Sequence, residues 1–489
     1  MTGLLVTGCE IEGVPGLDVR VRDGVIADIA PNLPVEGDDV LAAAGGALLP
    51  GLHDHHLHLL AMAAALESIS CGPPAVEDRD GLASALREAS RTAPAGAWLR
   101  GVGYHESVAG DLDRDALDAL VADRPVRVQH RSGALWVLNR AALRAAGLER
   151  TVPSGRLRRS DRTLGARVPP VALDLAEVGR RLAAVGVTGV TDATPGLDGR
   201  GVDLLTAAVA RDDLPQRVTL LGADHLPQPG LPRLTLGPWK LVLDEASDSC
   251  FDPAVIAGDI ANAHRAGRPV AIHCVSRAEV VVAIDALARS TSMSGDRLEH
   301  ASILPVGLER RLRELGVAVV TQPNFIAERG DAYARDVDAE DLDLLYRCGT
   351  LLSAGVAVAG GTDAPFGVAD PWRAMRAAVT RRSDHGRVLG EDEAVTPRAA
   401  LTLFLSDAHA PGGAPRQVRT GAPADLCLLR EPLGDALATL DASLVHATIV
   451  GGRVVHEGPT QSADLSSQRV NTAMSPAHAN RASATGSRR

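Results

Sequence analysis

Aromatic side chains are scarce in this chain: phenylalanine, tyrosine and tryptophan together make up 2% of its 489 residues. A protein that stacks rings or bases needs such platforms, and the candidates reduce to a few, among them Trp98, Tyr104, Trp136, Phe325 and Phe366. Paired cysteines are missing as well. The six, at positions 9, 71, 250, 274, 348 and 427, form no Cys-x-x-Cys pair, which excludes a disulfide scaffold and a zinc ribbon and leaves reduced, mostly buried thiols. No segment supplies the roughly 20 uninterrupted apolar residues of a membrane span. The first residues lack the basic start and long apolar run of a signal peptide, with acidic Glu10 arriving early, so a cytoplasmic location is expected. Nor is there an excess of positive charge. A net charge of -11, with no Lys/Arg cluster flanked by aromatics, argues against a nucleic-acid partner.

What is present suits a soluble globular protein with a sizeable core: 45% hydrophobic and 23% charged residues. The length predicts one large domain and a smaller one. Near the start, short alternating runs surround Asp23-Gly24, a hairpin turn pair; near the end, similar runs surround Gly451-Gly452. The two ends, 1–50 and 415–458, are expected to form one composite β-sandwich domain. Between them, 51–414 alternates Val/Ile/Leu-rich runs with Ala/Leu/Arg-rich helical patterns, the texture of a parallel sheet. Eight candidate strands can be counted, at 51–58, 187–192, 217–222, 239–244, 270–275, 297–302, 317–322 and 356–363. Eight closes a (β/α)₈ TIM barrel. The long interval after the first strand predicts an inserted subdomain at about 60–180 above the barrel mouth, where insertions shape substrate binding. The stretch 459–489, poor in large apolar residues, reads as a disordered tail.

Chemistry concentrates at predicted strand ends. Pro50-Gly-Leu-His-Asp-His-His-Leu-His places His56 and His58 two apart, so that in an extended strand they project to one side and can grip one metal ion. His53 and His55 have the opposite parity and are expected to face away. Lys240 lies on the fourth strand, His273 on the fifth, His300 on the sixth and Asp363 after the eighth. In a barrel these strand ends converge on one face.

With Gly186-Val-Thr-Gly-Val-Thr-Asp-Ala, Arg297-Leu-Glu-His-Ala, Gly361-Thr-Asp-Ala-Pro and Pro423-Ala-Asp-Leu in the same order, the chain from about 3 to 457 resembles the amidohydrolase superfamily, and within it the branch of N-substituted formamide deformylases. The resemblance implies a divalent metal, zinc above all, with one or two ions left open. It implies that His56, His58 and Asp363 bind the more buried ion, His273 and His300 a second, and Lys240, as its carbamate, both. It gives Asp54 the orientation of a ligand histidine. The implied reaction is hydrolysis of a carbon–nitrogen bond in a small-molecule amide, N-acyl or N-formyl substrate: metal-activated hydroxide attacks the carbonyl, Asp363 carries the proton to the leaving nitrogen, and His300 helps stabilise the oxyanion.

Two departures bear on substrate. Relatives carry Gly-His in the inserted segment where this chain has Ser132-Gly133-Ala134-Leu135-Trp136, and Asp-Gly after the lysine where it has Leu243-Asp244-Glu245. Deformylase activity itself is therefore not carried over, and His105, His130 and Arg131 become candidate contacts to a polar or anionic substrate group. Deamination of a ring amidine and ester or lactone hydrolysis fit the same ligands, and a non-catalytic barrel scaffold is the alternative outside enzymes. Scarce aromatics favour the amide over the ring. Asp244 and Glu245 offer Lys240 an ordinary salt-bridge partner in place of carbamylation. A homodimer is left open.

Overall fold

The computed structural model describes residues 3–222, 226–243, 245 and 251–459. The tail expected at 459–489 thus lies outside the described residues except for Pro459, and so does Asp244.

Eight parallel strands form the central sheet: Leu52–Leu57, Val187–Asp192, Arg217–Gly222, Leu234–Val242, Val270–Cys274, Arg297–His300, Ala318–Thr321 and Val358–Gly360, each paired with the next in chain order. Every residue of the first strand is buried, polar ones included, as expected where helices cover one face and the barrel interior the other. The barrel closes between its first and last strands. The Asp363 N–H donates to the His56 carbonyl and the His58 N–H to the Ala364 carbonyl, both at 2.8 Å. This seam is tight because Gly361 has no side chain: a Cβ there would stand 2.6 Å from the His56 Cβ.

The strands are the eight expected, with shifted ends. The sixth stops at His300 instead of 302 because His300 and Ala301 take left-handed backbone angles, φ 70° and 44°, which no β ladder accommodates. The eighth ends at Gly360, and Asp363, φ 55°, lies in the loop beyond it. The fourth begins at Leu234, earlier than expected, since Thr235 and Leu236 already pair with the third strand. Several helices around the barrel start at side-chain caps. Ser276 and Glu279 form a capping box for Arg277–Ala288, and Asp370 accepts the Trp372 and Arg373 amides ahead of Pro371–Thr380.

Two four-stranded sheets stand apart from the barrel. One is built from Leu4–Ile11, Val14–Arg22, Val25–Ala30 and Asp39–Ala42; the other joins Leu48–Pro50 to Leu426–Leu429, Val445–Val450 and Arg453–Glu457. They share one apolar core, in which Val6, Val19, Val21 and Ile26 meet Leu426, Leu428 and Ile449. Both predicted hairpin turns are present with positive φ at both central residues, Asp23-Gly24 and Gly451-Gly452, as their sharp reversal requires. The fold is thus a (β/α)₈ barrel with a small sandwich made by both chain ends.

After the first barrel strand, Ile69–Ser70, Leu99–Tyr104, Val126–His130, Leu135–Leu138 and Arg156–Arg158 form a separate five-stranded sheet. Its 130–134 loop reaches the barrel mouth, where the missing Cβ of Gly133 would stand 2.7 Å from the Phe366 ring. No helix among the described residues is long and apolar enough to cross a membrane.

Candidate metal centre

The seam brings His56, His58 and Asp363 together. Their nearest ligand atoms all lie within 4.8 Å of one another, and all three residues are buried. His58 Nε2 is 3.0 Å and His56 Nε2 3.6 Å from Asp363 Oδ1. His300 stands against this trio, its ring centroid 4.6 Å from that of His56, and His273 follows 4.6 Å beyond His300.

The hydrogen bonds prepare the imidazoles as ligands. His56 Nδ1 donates to Glu299 Oε2 and His300 Nδ1 donates to Gln322 Oε1 at 2.8 Å, so in the neutral ring each Nε2 keeps its lone pair. Burial keeps the rings neutral. It pushes His56 down to about 3, with the Lys240 charge adding to the effect, and holds His273 well below the usual imidazole range, with His300 and Lys240 contributing. For Asp363, burial favours the neutral acid, but the His58 hydrogen bond and the facing His56 and His300 outweigh it and hold the carboxyl below its ordinary value. Glu299 is likewise buried, yet Arg297, His56 and Lys240 keep it well below the carboxylate range. The Arg297 Nε–Glu299 Oε1 bond is 2.6 Å, between two side chains fully sealed from solvent.

Lys240 is buried, and among the described residues its Nζ has no hydrogen-bond partner. Burial lowers its pKa, which Glu299 opposes and Arg297 reinforces. Glu245, one of the two expected salt-bridge partners, bonds the Ser276 hydroxyl instead. An orphaned buried amine costs about 1–3 kcal/mol, and it fits a position that acquires anionic oxygen and a metal. The donor set fits a divalent cation: imidazoles at His56, His273 and His300 that burial keeps neutral, and an ionised carboxylate at Asp363.

His53 and His55 face elsewhere. His53 Nε2 pairs with Thr191 Oγ1 at 2.9 Å, and His53 lines a cavity of about 340 Å³ that also touches Arg217, Arg416 and Asp425, away from the ligands. His55 Nε2 meets Ser406 Oγ at 3.0 Å. Asp54 does not orient an imidazole, contrary to expectation. It accepts the His56 and Thr362 amides at 3.1 and 3.0 Å and the Thr362 hydroxyl at 2.6 Å, bolting the first strand to the loop that carries Asp363. Burial pushes its carboxyl up to about 7 although those three bonds pull the other way.

Glu299 is the functional residue that strand alternation missed. Alternation puts neighbours Glu299 and His300 on opposite faces, but the left-handed turn at His300 lets both reach His56. The signal available was the buried Arg-Leu-Glu-His run itself.

At the rim, His105, Glu106 and His130 form a second, half-buried cluster. His130 Nε2 is 3.0 Å and His105 Nε2 3.8 Å from Glu106 Oε2. Arg131 lies beside it, and Phe366 connects rim and centre, its ring edge-on to His58 at a centroid distance of 5.3 Å. Phe325, Tyr333 and Tyr346 stand in the same apolar cluster as Phe366.

The comparisons agree with this geometry. Residues 39–456 match the model of the Amidohydrolase family, and the chain belongs to that family. With the buried His/His/Asp cluster, this makes it a metal-dependent hydrolase acting on carbon–nitrogen bonds. It is 26% identical to an N-substituted formamide deformylase of Arthrobacter pascens, over 90% of this chain and 94% of that one. It is 25% identical to YtcJ of Bacillus subtilis (strain 168), over 90% and 96%. Among solved structures, an uncharacterized metal-dependent hydrolase from Pyrococcus horikoshii OT3 superposes with a TM-score of 0.68 at 18% identity, covering 93% of this chain and all (100%) of that one.

Proposed function

We propose that this amidohydrolase cleaves a linear N-acyl or N-formyl amide, with zinc held by His56, His58, Asp363, His273 and His300. The observation that carries the reading is the buried trio at the seam with its Nε2 lone pair set free by Glu299. A divalent metal bound there supplies the Lewis acidity that makes water nucleophilic near neutral pH. Asp363, ionised across the neutral range, accepts a proton from the attacking water and returns it to the leaving nitrogen. His300 acts as a ligand and not as an oxyanion donor, since its only ring proton in the neutral form is committed to Gln322. Burial favours loss of the Lys240 ammonium proton; the deprotonated amine would add to carbon dioxide, releasing a further proton to solvent as the N–C bond forms, and the carbamate oxygens would join the ligand set.

A specific observation also favours a second reading. Although aromatics are scarce, two of the four phenylalanines and two of the three tyrosines share one apolar cluster whose half-buried member Phe366 stands edge-on to His58, and a ring amidine deaminated at the same centre would find a stacking partner in that ring. One experiment separates these. Metal-replete protein is assayed for bound metal and against N-formyl, N-acyl and cyclic substrates, with amine and ammonia measured separately. Amine plus acid from a linear substrate is expected. Ammonia alone selects the deaminase, and less than one metal per chain defeats both.

A further inference from the structure

Two arginines flank the contact between Phe366 and the inserted sheet's 130–134 loop, close enough to repel each other. Arg329 donates to the Phe366 carbonyl at 2.6 Å and lies over the Phe325 ring with its central carbon 3.8 Å from the centroid. Arg131 opens the 130–134 loop that rests on the Phe366 ring, and its backbone is pinned by a 2.7 Å bond to the Tyr104 carbonyl. Both are half-buried. The nearby carboxylates are otherwise engaged: Glu106 faces His130 at 3.0 Å and His105 at 3.8 Å, while Asp336 faces His105 at 3.9 Å. Among the described residues, no carboxylate forms an ion pair with Arg131 or Arg329. Partial burial and the like charge of Arg329 push the Arg131 guanidinium down, opposed by Tyr333, Asp336 and Glu106. Two neighbouring cations at the edge of a desolvated mouth, neither in an ion pair among the described residues, are stabilised when an anion arrives.

We propose that Arg131, backed by Arg329, binds a carboxylate on the substrate, at the end remote from the bond cleaved next to His58 and Asp363. The planar guanidinium fork matches a carboxylate bidentately, and the Phe366 ring, between the Gly133 loop and His58, supplies an apolar surface between that anchor and the metal ligands. The substrate class is then an N-acyl or N-formyl amide bearing a carboxylate, such as an N-formyl amino acid with an apolar side chain. This identification rests on the amide reading above; the anion subsite itself does not.

The test has two arms on the metal-loaded full chain. Calorimetric titration compares 3-phenylpropionate with 3-phenylpropanamide, and kinetics compare N-formylphenylalanine with N-formylphenylalaninamide. The wild type is expected to prefer the charged member of each pair by about tenfold or more, the worth of a charge-assisted hydrogen bond. In Arg131→Met the preference disappears, chiefly through KM, and in Arg131→Lys it largely returns. Equal binding of the two titrants by the wild type overturns the proposal. So does a preference that survives Arg131→Met, because the metal centre alone is then the anion's partner. If the wild type hydrolyses neither substrate yet its Arg131-dependent binding preference stands, the amide reading falls and the subsite remains.

Discussion

Among the described residues two clusters join two histidines to a carboxylate, one sealed at the barrel seam and one half-open at the rim, and the hydrogen bonds of His56 set the first apart from the second. At the seam, the His56 Nδ1 proton goes to Glu299, so Nε2 presents a lone pair. At the rim, the Ser107 and Ser132 backbone amides donate to the Nδ1 atoms of His105 and His130, at 3.2 and 3.1 Å. An amide donor leaves Nδ1 no proton, so in the neutral ring the proton sits on Nε2, toward Glu106. The same residue types thus form a metal ligand set in one place and a pair of proton donors in the other. Identity and proximity are shared; what differs is which nitrogen the surroundings leave open.

The sharpest way to break this contrast is to delete a histidine from each. His58→Ala is expected to lose bound metal and to lower kcat/KM by about 10³-fold or more, whereas His105→Ala retains metal by elemental analysis. Equal metal loss from both would erase the distinction. Next in size, Asp363→Asn keeps one metal in place while kcat falls about 10²- to 10⁴-fold, the range of a lost acid–base group. Smaller again is Glu299→Gln, which weakens the carboxylate hold on the His56 ring. Metal affinity, read by chelator competition, should drop about 10- to 100-fold, and an unchanged affinity would mean that the tautomer is set elsewhere. The smallest effect concerns pH at the rim. Burial, more than any other influence, places His105 and His130 below the ordinary 6.5. The unfolded chain then takes up protons near 6.5 that the folded rim refuses, so these residues cost stability as pH falls through 6.5 toward their folded values. His130→Gln should flatten the slope of melting temperature against pH in that window, and an unchanged slope would show the rim histidines protonating freely.

The barrel was legible because its strands are short apolar runs at regular spacing and its ligands are residue types that seldom sit at the ends of such runs. That His56, His58 and Asp363 converge with Lys240, His273 and His300 was readable from strand order, while their grouping as one ligand set came from the family resemblance. Their supports were readable from neither. Glu299 hides behind a backbone turn that violates alternation, and Asp54, expected to orient a ligand histidine, is instead a backbone clamp across 308 positions of chain. The rim pairing joins Glu106, at the start of a short helix, to His130, 24 positions on at the end of a strand of the inserted sheet, and Arg329 comes from a helix far along the chain. Such contacts depend on how one sheet sits over another, which periodicity does not encode. A low aromatic content says how many rings there are, and the fold decides that four of them share one apolar cluster.

The seam between the first and last barrel strands has a further consequence for how the protein is made. His58 and Asp363 touch across 305 positions of sequence, and the backbone bonds that hold them are the same ones that close the barrel. During synthesis the first two ligands emerge early and remain an open, weak pair until the eighth strand docks. The complete binding site is therefore the last part of the barrel to come into existence, and a cation captured there would latch the ring shut behind it.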